Sequence, residues 1–524
     1  MKILLFSGNG VVVEGAGGAE RVLCNMANEL TVRGHQVTVL CDDLKQGLPF
    51  YPLMKEVDFI NINESRHNDK LYPHSLFPDT VKRHKDKVVE DPLRSILLNV
   101  KPDIIISFFL RDHNRIAKLI GHDRPLIVMH HMDPNHGLLE APFDRLCSLQ
   151  HCDCLQVLLP GFAKTIQEVL PWVKLRVIPN AVALIDDINL ANPSKHKNEY
   201  VIATLGRLER GKQPHLLIRS FSRLAKEYSQ WKVRLYGHGY DVEYKKYLEA
   251  LIHELGLDNQ VFLMGTTDKP LDILRESDIF AFPSAHEGFG LALAEAMGVG
   301  LPCVGLKTAP GVNELIVDGY NGLLSDNNEL DFAQKMKRLM DNPQLRTTMG
   351  RNGHEFVKQF EPKKIWDQWE NLIIETFQQY QPVKPWYYTS FCAHLWIQLR
   401  VFIALQRYQQ RTAASFRTYL WSQLKIIISL PERFVRRNIV KPLKKVISFP
   451  ERIVRRVVIK PLKNIIGLLT GKPHKKLQNE IWYLHSQIHK LQEQLAEQNK
   501  SIAQLQDQQM SAKPTETVEQ RRVA

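Results

Sequence analysis

Two glutamates with seven residues between them, Glu287 and Glu295, frame the stretch His286-Glu287-Gly288-Phe289-Gly290-Leu291-Ala292-Leu293-Ala294-Glu295. An apolar run, Ile279-Phe280-Ala281-Phe282-Pro283, precedes it. The pattern predicts a buried strand, a loop with a carboxylate at its tip, and glycines opening a helix rich in Ala and Leu. Such a helix start offers free backbone N–H groups, here those of Phe289 and Gly290, and the positive end of a dipole, which suits a phosphate. Glu287 falls just outside that anion site and Glu295 slightly more than one turn inside the helix, so both can face one cleft. Carboxylates repel phosphate but accept strongly from hydroxyls, so hydroxyls on either side of a phosphate match them. Sugar, diphosphate and ribose supply that order of groups. The competing interpretation is an ordinary strand-loop-helix with a solvated Glu and a Glu favoured by the dipole.

Two cations complete the pattern. Tyr200-Val201-Ile202-Ala203-Thr204-Leu205-Gly206 predicts a strand, and Arg207 and Lys212 follow before a helix carrying Leu216, Leu217, Phe221 and Leu224. Positive charge after a strand-ending Gly suits a diphosphate leaving group, on which charge accumulates as the glycosidic bond breaks. Alone the segment could be a solvated basic loop; beside Glu287 and Glu295 the diphosphate role is favoured.

Glu287 and Glu295 within EGFGLALAEAMGVGLPCV resemble the E-x7-E signature of family-4 retaining glycosyltransferases of the GT-B fold. The resemblance spans about residues 1–380 and implies that Glu287 contacts the donor sugar and Glu295 the ribose. It also implies that Arg207 and Lys212 bind the diphosphate, and that Gly17 and Gly18 form a glycine loop near it across the cleft. Gly288, Phe289 and Gly290 join the donor subsite. His131 matches a family histidine between acceptor and donor sugar, with His130 as the fallback. A donor phosphate oxygen, rather than a separate base, would take the acceptor proton.

The elements that position these groups alternate strand and helix, as two parallel sheets require. Lys2–Ser7 predicts the first strand, Val22, Leu23, Met26, Ala27 and Leu30 a helix face, and Gln36–Leu40 the second strand. Glycine-rich βαβ openings also serve dinucleotides, so an oxidoreductase is kept as an alternative. However, the spacing departs from G-x-G-x-x-G, and Asp42 and Asp43 only approximate the acidic residue that ends the second strand. Buried strands are expected at Asp103–Phe108 and Pro125–Met129, the latter ending in His130-His131, where an open parallel sheet binds ligands. Trp231–Gly239, Val261–Gly265, Pro302–Gly305 and Gly319–Leu324 continue the second half. A helix through Trp366, Trp369 and Leu372 is expected to brace the first domain.

Composition bounds the rest. Seven scattered Cys and an N-terminus that forms a strand instead of a signal peptide point to a reducing cytosol. His151-Cys152-Asp153-Cys154 has no second ligand pair at zinc spacing and no D-x-D follows a strand, so no metal is expected. No window of 18 apolar residues lacks charge, and no transmembrane helix is predicted. Of the net +13, residues 381–476 carry 20 Lys and Arg against Glu432 and Glu451, a net +18, leaving −5 for the remainder.

That basic region mixes cations with Trp386, Tyr387, Tyr388, Phe391, Trp396 and Trp421, then repeats with a period of 19 from Leu430 and Phe449. Nucleic acid would explain the charge but not the accompanying Val, Ile and Phe, so an anionic membrane surface is favoured over nucleic acid. Leu477, Ile481, Leu484, Ile488, Leu491 and Leu495 keep heptad steps and predict a parallel dimeric coiled coil.

The expected class is α/β: GT-B, two Rossmann-like domains facing across a cleft, plus a helical C-terminal extension. The divisions are 1–185 (acceptor side), 186–198 (linker), 199–365 (nucleotide sugar), 366–380 (helix crossing back), 381–473 (membrane surface), 474–510 (coiled coil) and 511–524 (disordered tail). The expected activity is retaining transfer from a nucleotide diphosphate sugar, UDP- or GDP-linked, without a cofactor, to a lipid-linked glycan or envelope polysaccharide. The protein is expected in the cytoplasm, peripheral to the cytoplasmic membrane face, as a homodimer. The alternative is an inactive GT-B membrane scaffold whose coiled coil recruits partners.

Overall fold

The computed structural model describes residues 1–381, apart from 9–11, 14, 16, 44, 46, 63–82, 85–86, 89–91, 121–122, 136, 140, 142, 187–189, 194–196 and 240. The basic repeat, coiled coil and terminal segment expected beyond 381 lie outside the described residues.

The first domain is built on strands β1 (Lys2–Ser7), β2 (Gln36–Cys41), β3 (Asp58–Asn61), β4 (Ile104–Ser107), β5 (Leu126–His130), β6 (Cys154–Val157) and β7 (Leu175–Val177). They pair in the order β3-β2-β1-β4-β5-β6-β7, all parallel. Side chains alternate between the faces of a strand, and both faces are covered at the central strands β1, β4, β5 and β6, which is why these are largely apolar. Ile3, Leu5, Val37, Val39, Ile104 and Ile106 enter one core, and Leu4, Phe6, Leu40 and Ile105 the other.

The second domain repeats the plan with β8 (Tyr200–Leu205), β9 (Trp231–Tyr236), β10 (Val261–Gly265), β11 (Ile279–Phe282), β12 (Cys303–Leu306) and β13 (Gly322–Ser325). Their order is β10-β9-β8-β11-β12-β13, again parallel. In each sheet the order reverses beside the first strand, between β1 and β4 and between β8 and β11. Such a switch point leaves a crevice at the strand carboxyl ends. The architecture is the expected GT-B pair of Rossmann-like domains.

Five helices matter to the site: α1 (Gly18–Val32), α2 (Leu110–Ile120), α3 (Pro160–Val169), α4 (Leu291–Gly298) and α5 (Pro362–Gln379). Helix α5 starts with Pro at its first turn, where a missing N–H costs nothing. It buries Ile365, Trp366, Trp369, Leu372 and Ile373 in the core of the first domain. Arg33, after α1, reinforces this packing with ion pairs to Asp367 and Glu370 at 2.8 and 2.7 Å.

The segment between the domains is pinned to the second. Arg346, 1% exposed, donates to the carbonyl oxygens of Pro193, Leu339 and Met340, and Lys197 pairs with buried Asp278 at 2.9 Å. Satisfying the guanidinium this fully is what permits its burial. Among the described residues, no helix is long and apolar enough to cross a membrane.

Candidate active site

The switch point between β8 and β11 explains why Lys212 meets a residue far away in sequence. Arg207 and Lys212 leave the end of β8, while Glu287 leaves the end of the neighbouring β11. Ala285 N–H donates to the Gly211 carbonyl at 3.0 Å, tying the two loops together. Lys212 Nζ then donates to Glu287 Oε1 at 2.6 Å, with the two side chains only 25% and 11% exposed. Arg207 is placed differently: it pairs with its neighbour Glu209 at 2.8 Å and is 58% exposed.

Helix α4 begins one residue after Gly290, whose φ of +80° is one that side chains rarely adopt. Phe289 is anchored by an edge contact with Phe360 at 5.2 Å between ring centroids. Gly288 is required for a different reason. A Cβ there would lie 1.8 Å from the His131 carbonyl oxygen, so the loop of the second domain lies directly on the backbone of the first.

Glycines serve the opposite side as well. Gly17 is the N-cap of α1, with the Glu20 carboxylate folded over it. A Cβ on Gly18 would stand 3.2 Å from Leu291, the first residue of α4. The first turns of two helices, one from each domain, therefore touch, and each turn carries the partial positive charge of a helix start.

Glu295, in the second turn of α4, is 8% exposed and reaches across to Arg21 Nη2 at 2.6 Å. Burial pushes its carboxyl upward, and Arg21 opposes that shift. Tyr51 lies within electrostatic reach of Arg21, Glu20 and Glu295. A second carboxylate also crosses the junction: Glu314 accepts from the backbone N–H of Gly161 at the start of α3, at 3.0 Å. Arg21 and Tyr51 are not distinguished by the motifs. The one legible signal is Arg21 itself, a cation in the first turn of a helix, where the dipole disfavours it.

His131 follows β5 and stacks on Phe108, 5.3 Å between centroids and 21° between planes. Burial lowers its pKa to about 3, and that of His130 to about 4, so both imidazoles are neutral near pH 7. His130 turns toward Gly137 and Asp133, whereas the His131 backbone borders Gly288. Asp112, at the start of α2, is 3% exposed and accepts from the Gly8 N–H. Burial raises its pKa to about 8.

Asp42 and Asp43, the residues that kept a dinucleotide site open, are committed to internal contacts. Asp42 pairs with Arg115 at 2.9 Å, and Asp43 accepts from Val13 N–H at 2.6 Å and is 3% exposed. Among the described residues, no group of three or more His, Cys, Asp or Glu could hold a metal ion.

Residues 16–184 match the family model Glycosyltransferase Family 4, and residues 186–356 match Glycosyl transferases group 1. A Campylobacter jejuni GalNAc-alpha-(1->4)-GalNAc-alpha-(1->3)-diNAcBac-PP-undecaprenol alpha-1,4-N-acetyl-D-galactosaminyltransferase is 27% identical, over 69% of this chain and 96% of its own. The Rhizobium meliloti lipopolysaccharide core biosynthesis glycosyltransferase LpsE is 26% identical, over 68% of this chain and 96% of its own. Among solved structures, Anabaena HepE in complex with UDP-glucose superposes with a TM-score of 0.56 at 21% identity, covering 72% of this chain and all of that one.

Proposed function

We infer that this chain, which carries a Glycosyltransferase Family 4 domain followed by a group 1 domain, is a retaining glycosyltransferase using a nucleotide diphosphate sugar. The observation that carries this reading is the meeting of two helix starts, one per domain, bordered by the pairs Lys212–Glu287 and Arg21–Glu295. A diphosphate beside that junction takes up backbone N–H groups of the two turns, and the flanking glutamates face the hydroxyls of sugar and ribose.

Lys212 and Arg207 stabilise the departing diphosphate as its charge grows. Lys212 pairs with Glu287, so a bound diphosphate shares the ammonium between carboxylate and phosphate and leaves Glu287 able to orient the sugar. Arg207, the most exposed of the group, swings from Glu209 to the phosphates. Glu295 holds the ribose. His131, kept neutral by burial, exchanges a hydrogen bond with a hydroxyl at the domain junction and carries no charge of its own. The acceptor proton passes to a donor phosphate oxygen on the same face, which retains the anomeric configuration.

For the acceptor we favour a lipid-linked glycan or envelope polysaccharide, supported by the names of the Campylobacter and Rhizobium relatives. The membrane contact and the coiled-coil dimer are assigned to residues 381–510, through the basic amphipathic repeat and the heptads. The test is transfer from UDP-, GDP- and ADP-sugars to a polyprenyl diphosphate glycan in EDTA, with the product anomer read by NMR. One nucleotide class should support transfer with retained configuration. An inverted product would remove the mechanism, and no transfer from any donor by folded protein would remove the activity.

A further inference from the structure

Arg21 has no local reason for its place. It sits in the first turn of α1, where a cation opposes the helix dipole, and its guanidinium leaves its own domain to reach Glu295 at 2.6 Å. Glu295 belongs to the other domain and is 8% exposed. The pair therefore exists only when the two domains are closed on one another.

We propose that Arg21 is a positioning residue for the donor: domain closure delivers its guanidinium to Glu295 and fixes the carboxylate in the orientation that receives the ribose. This rests on the reading of Glu295 as the ribose ligand. The stereochemistry supports it. Arg21 engages Glu295 Oε1, and a carboxylate offers about four lone-pair sites, so one charge-assisted contact leaves capacity for ribose hydroxyls. Without Arg21, α4 would present a buried carboxylate with no counter-ion and no fixed rotamer. The donor subsite thus draws one of its determinants from the domain that carries the acceptor, and it is complete only in the closed arrangement.

The test uses the full-length protein with R21M, R21K, E295Q and the double variant R21M/E295Q. Donor KM and kcat are measured at saturating acceptor. Interdomain distances come from pulsed EPR on bioorthogonal labels at exposed Val32 and Val242, one in each domain, without ligand. R21M should raise donor KM about 10- to 100-fold, the range for losing one hydrogen bond to a charged group, with kcat falling less than about 3-fold. R21K should recover most of that loss, and the double variant should be no worse than the poorer single one. R21M and E295Q should broaden the distance distribution alike. A donor KM for R21M within about 2-fold of wild type, or a loss confined to kcat that R21K does not recover, would overturn the proposal. If wild type turned over no nucleotide sugar, the functional reading would fall by itself. The distances would then decide on Arg21 alone: a closed form lost equally in R21M and E295Q keeps it as the contact that fixes Glu295, and unchanged distances remove it.

Discussion

The two domains share a strand order but treat charge in opposite ways. At the switch point of the second, Lys212 and Glu287 stand as an ion pair, Arg207 as an exposed cation, and Glu295 as a buried carboxylate with a counter-ion. At the strand ends of the first, burial suppresses charge: His130 and His131 are held neutral and Asp112 is pushed toward its protonated form. Fixed charges suit a diphosphate whose own charge grows during reaction, and neutral donors and acceptors suit sugar hydroxyls. One topology thus carries two chemically different clusters through the environment of a few side chains, which is why fold alone does not give function.

The strongest way to break this division is to hold the domains apart. Gly288→Ala would put a Cβ 1.8 Å from the His131 carbonyl oxygen, a clash that only separation of the two backbones relieves. Transfer should fall by about 10³-fold while each domain stays folded, because a 1 Å misplacement already costs on the order of 10²-fold. Circular dichroism alongside kinetics checks both halves of that statement.

Next come the charges of the second domain. Lys212→Ala should cost on the order of 10²-fold or more in kcat. It also leaves Glu287, only 11% exposed, without its partner, so thermal stability should drop as well. Arg207→Ala should lower kcat to a similar degree yet leave the melting temperature unchanged, since its side chain is 58% exposed and its contact with Glu209 is a surface pair. A melting scan beside a rate measurement separates the two cations. Equal loss of stability in both variants would show that the difference in burial has no consequence.

The smallest expected effect lies in the first domain and shows in the pH dependence of stability. His130 and His131 have folded pKa values lowered to about 4 and 3, against about 6.5 when unfolded. The unfolded chain therefore binds more protons below pH 6.5, so their stabilisation is complete above that pH and is lost as pH falls toward 4. Asp112 works the other way: its pKa rises to about 8, so its contribution declines as pH climbs from about 4 to 8. His131→Gln should flatten the loss of urea midpoint between pH 7 and 5, and Asp112→Asn should flatten the loss between pH 6 and 8.

Much of the fold was legible because the central strands of both sheets are buried on both faces, which makes them continuous apolar runs, and because Gly, Pro and polar turns bound the strands at the edges as well. Val261–Gly265 was read to the residue, and Ile279–Phe282 and Tyr200–Leu205 to within one. Edge strand Asp58–Asn61 was missed: it is short, polar at both ends and only partly buried, so it lacks that signature. Within the site, Glu287 and Glu295 were readable from their spacing, since both lie on one continuous loop and helix. Their pairing with Lys212 and Arg21 was not. Lys212 reaches Glu287 because β8 and β11 are neighbours, and Arg21 reaches Glu295 because two domains close, and neither relation leaves a periodic trace in a linear chain. Arg207 shows the converse: the sequence groups it with Lys212, but side-chain packing directs it to Glu209.

The direct test of the donor reading is thermal stabilisation of the full-length protein by UDP-, GDP- and ADP-sugars in EDTA, repeated with Glu295→Ala. One nucleotide class should stabilise the wild type by about 2.7 kcal/mol at a hundredfold excess over its Kd, and that gain should largely vanish in Glu295→Ala. Stabilisation by none of the three, or an equal gain in Glu295→Ala, would contradict the assignment of this cleft to a nucleotide sugar held at its ribose by Glu295.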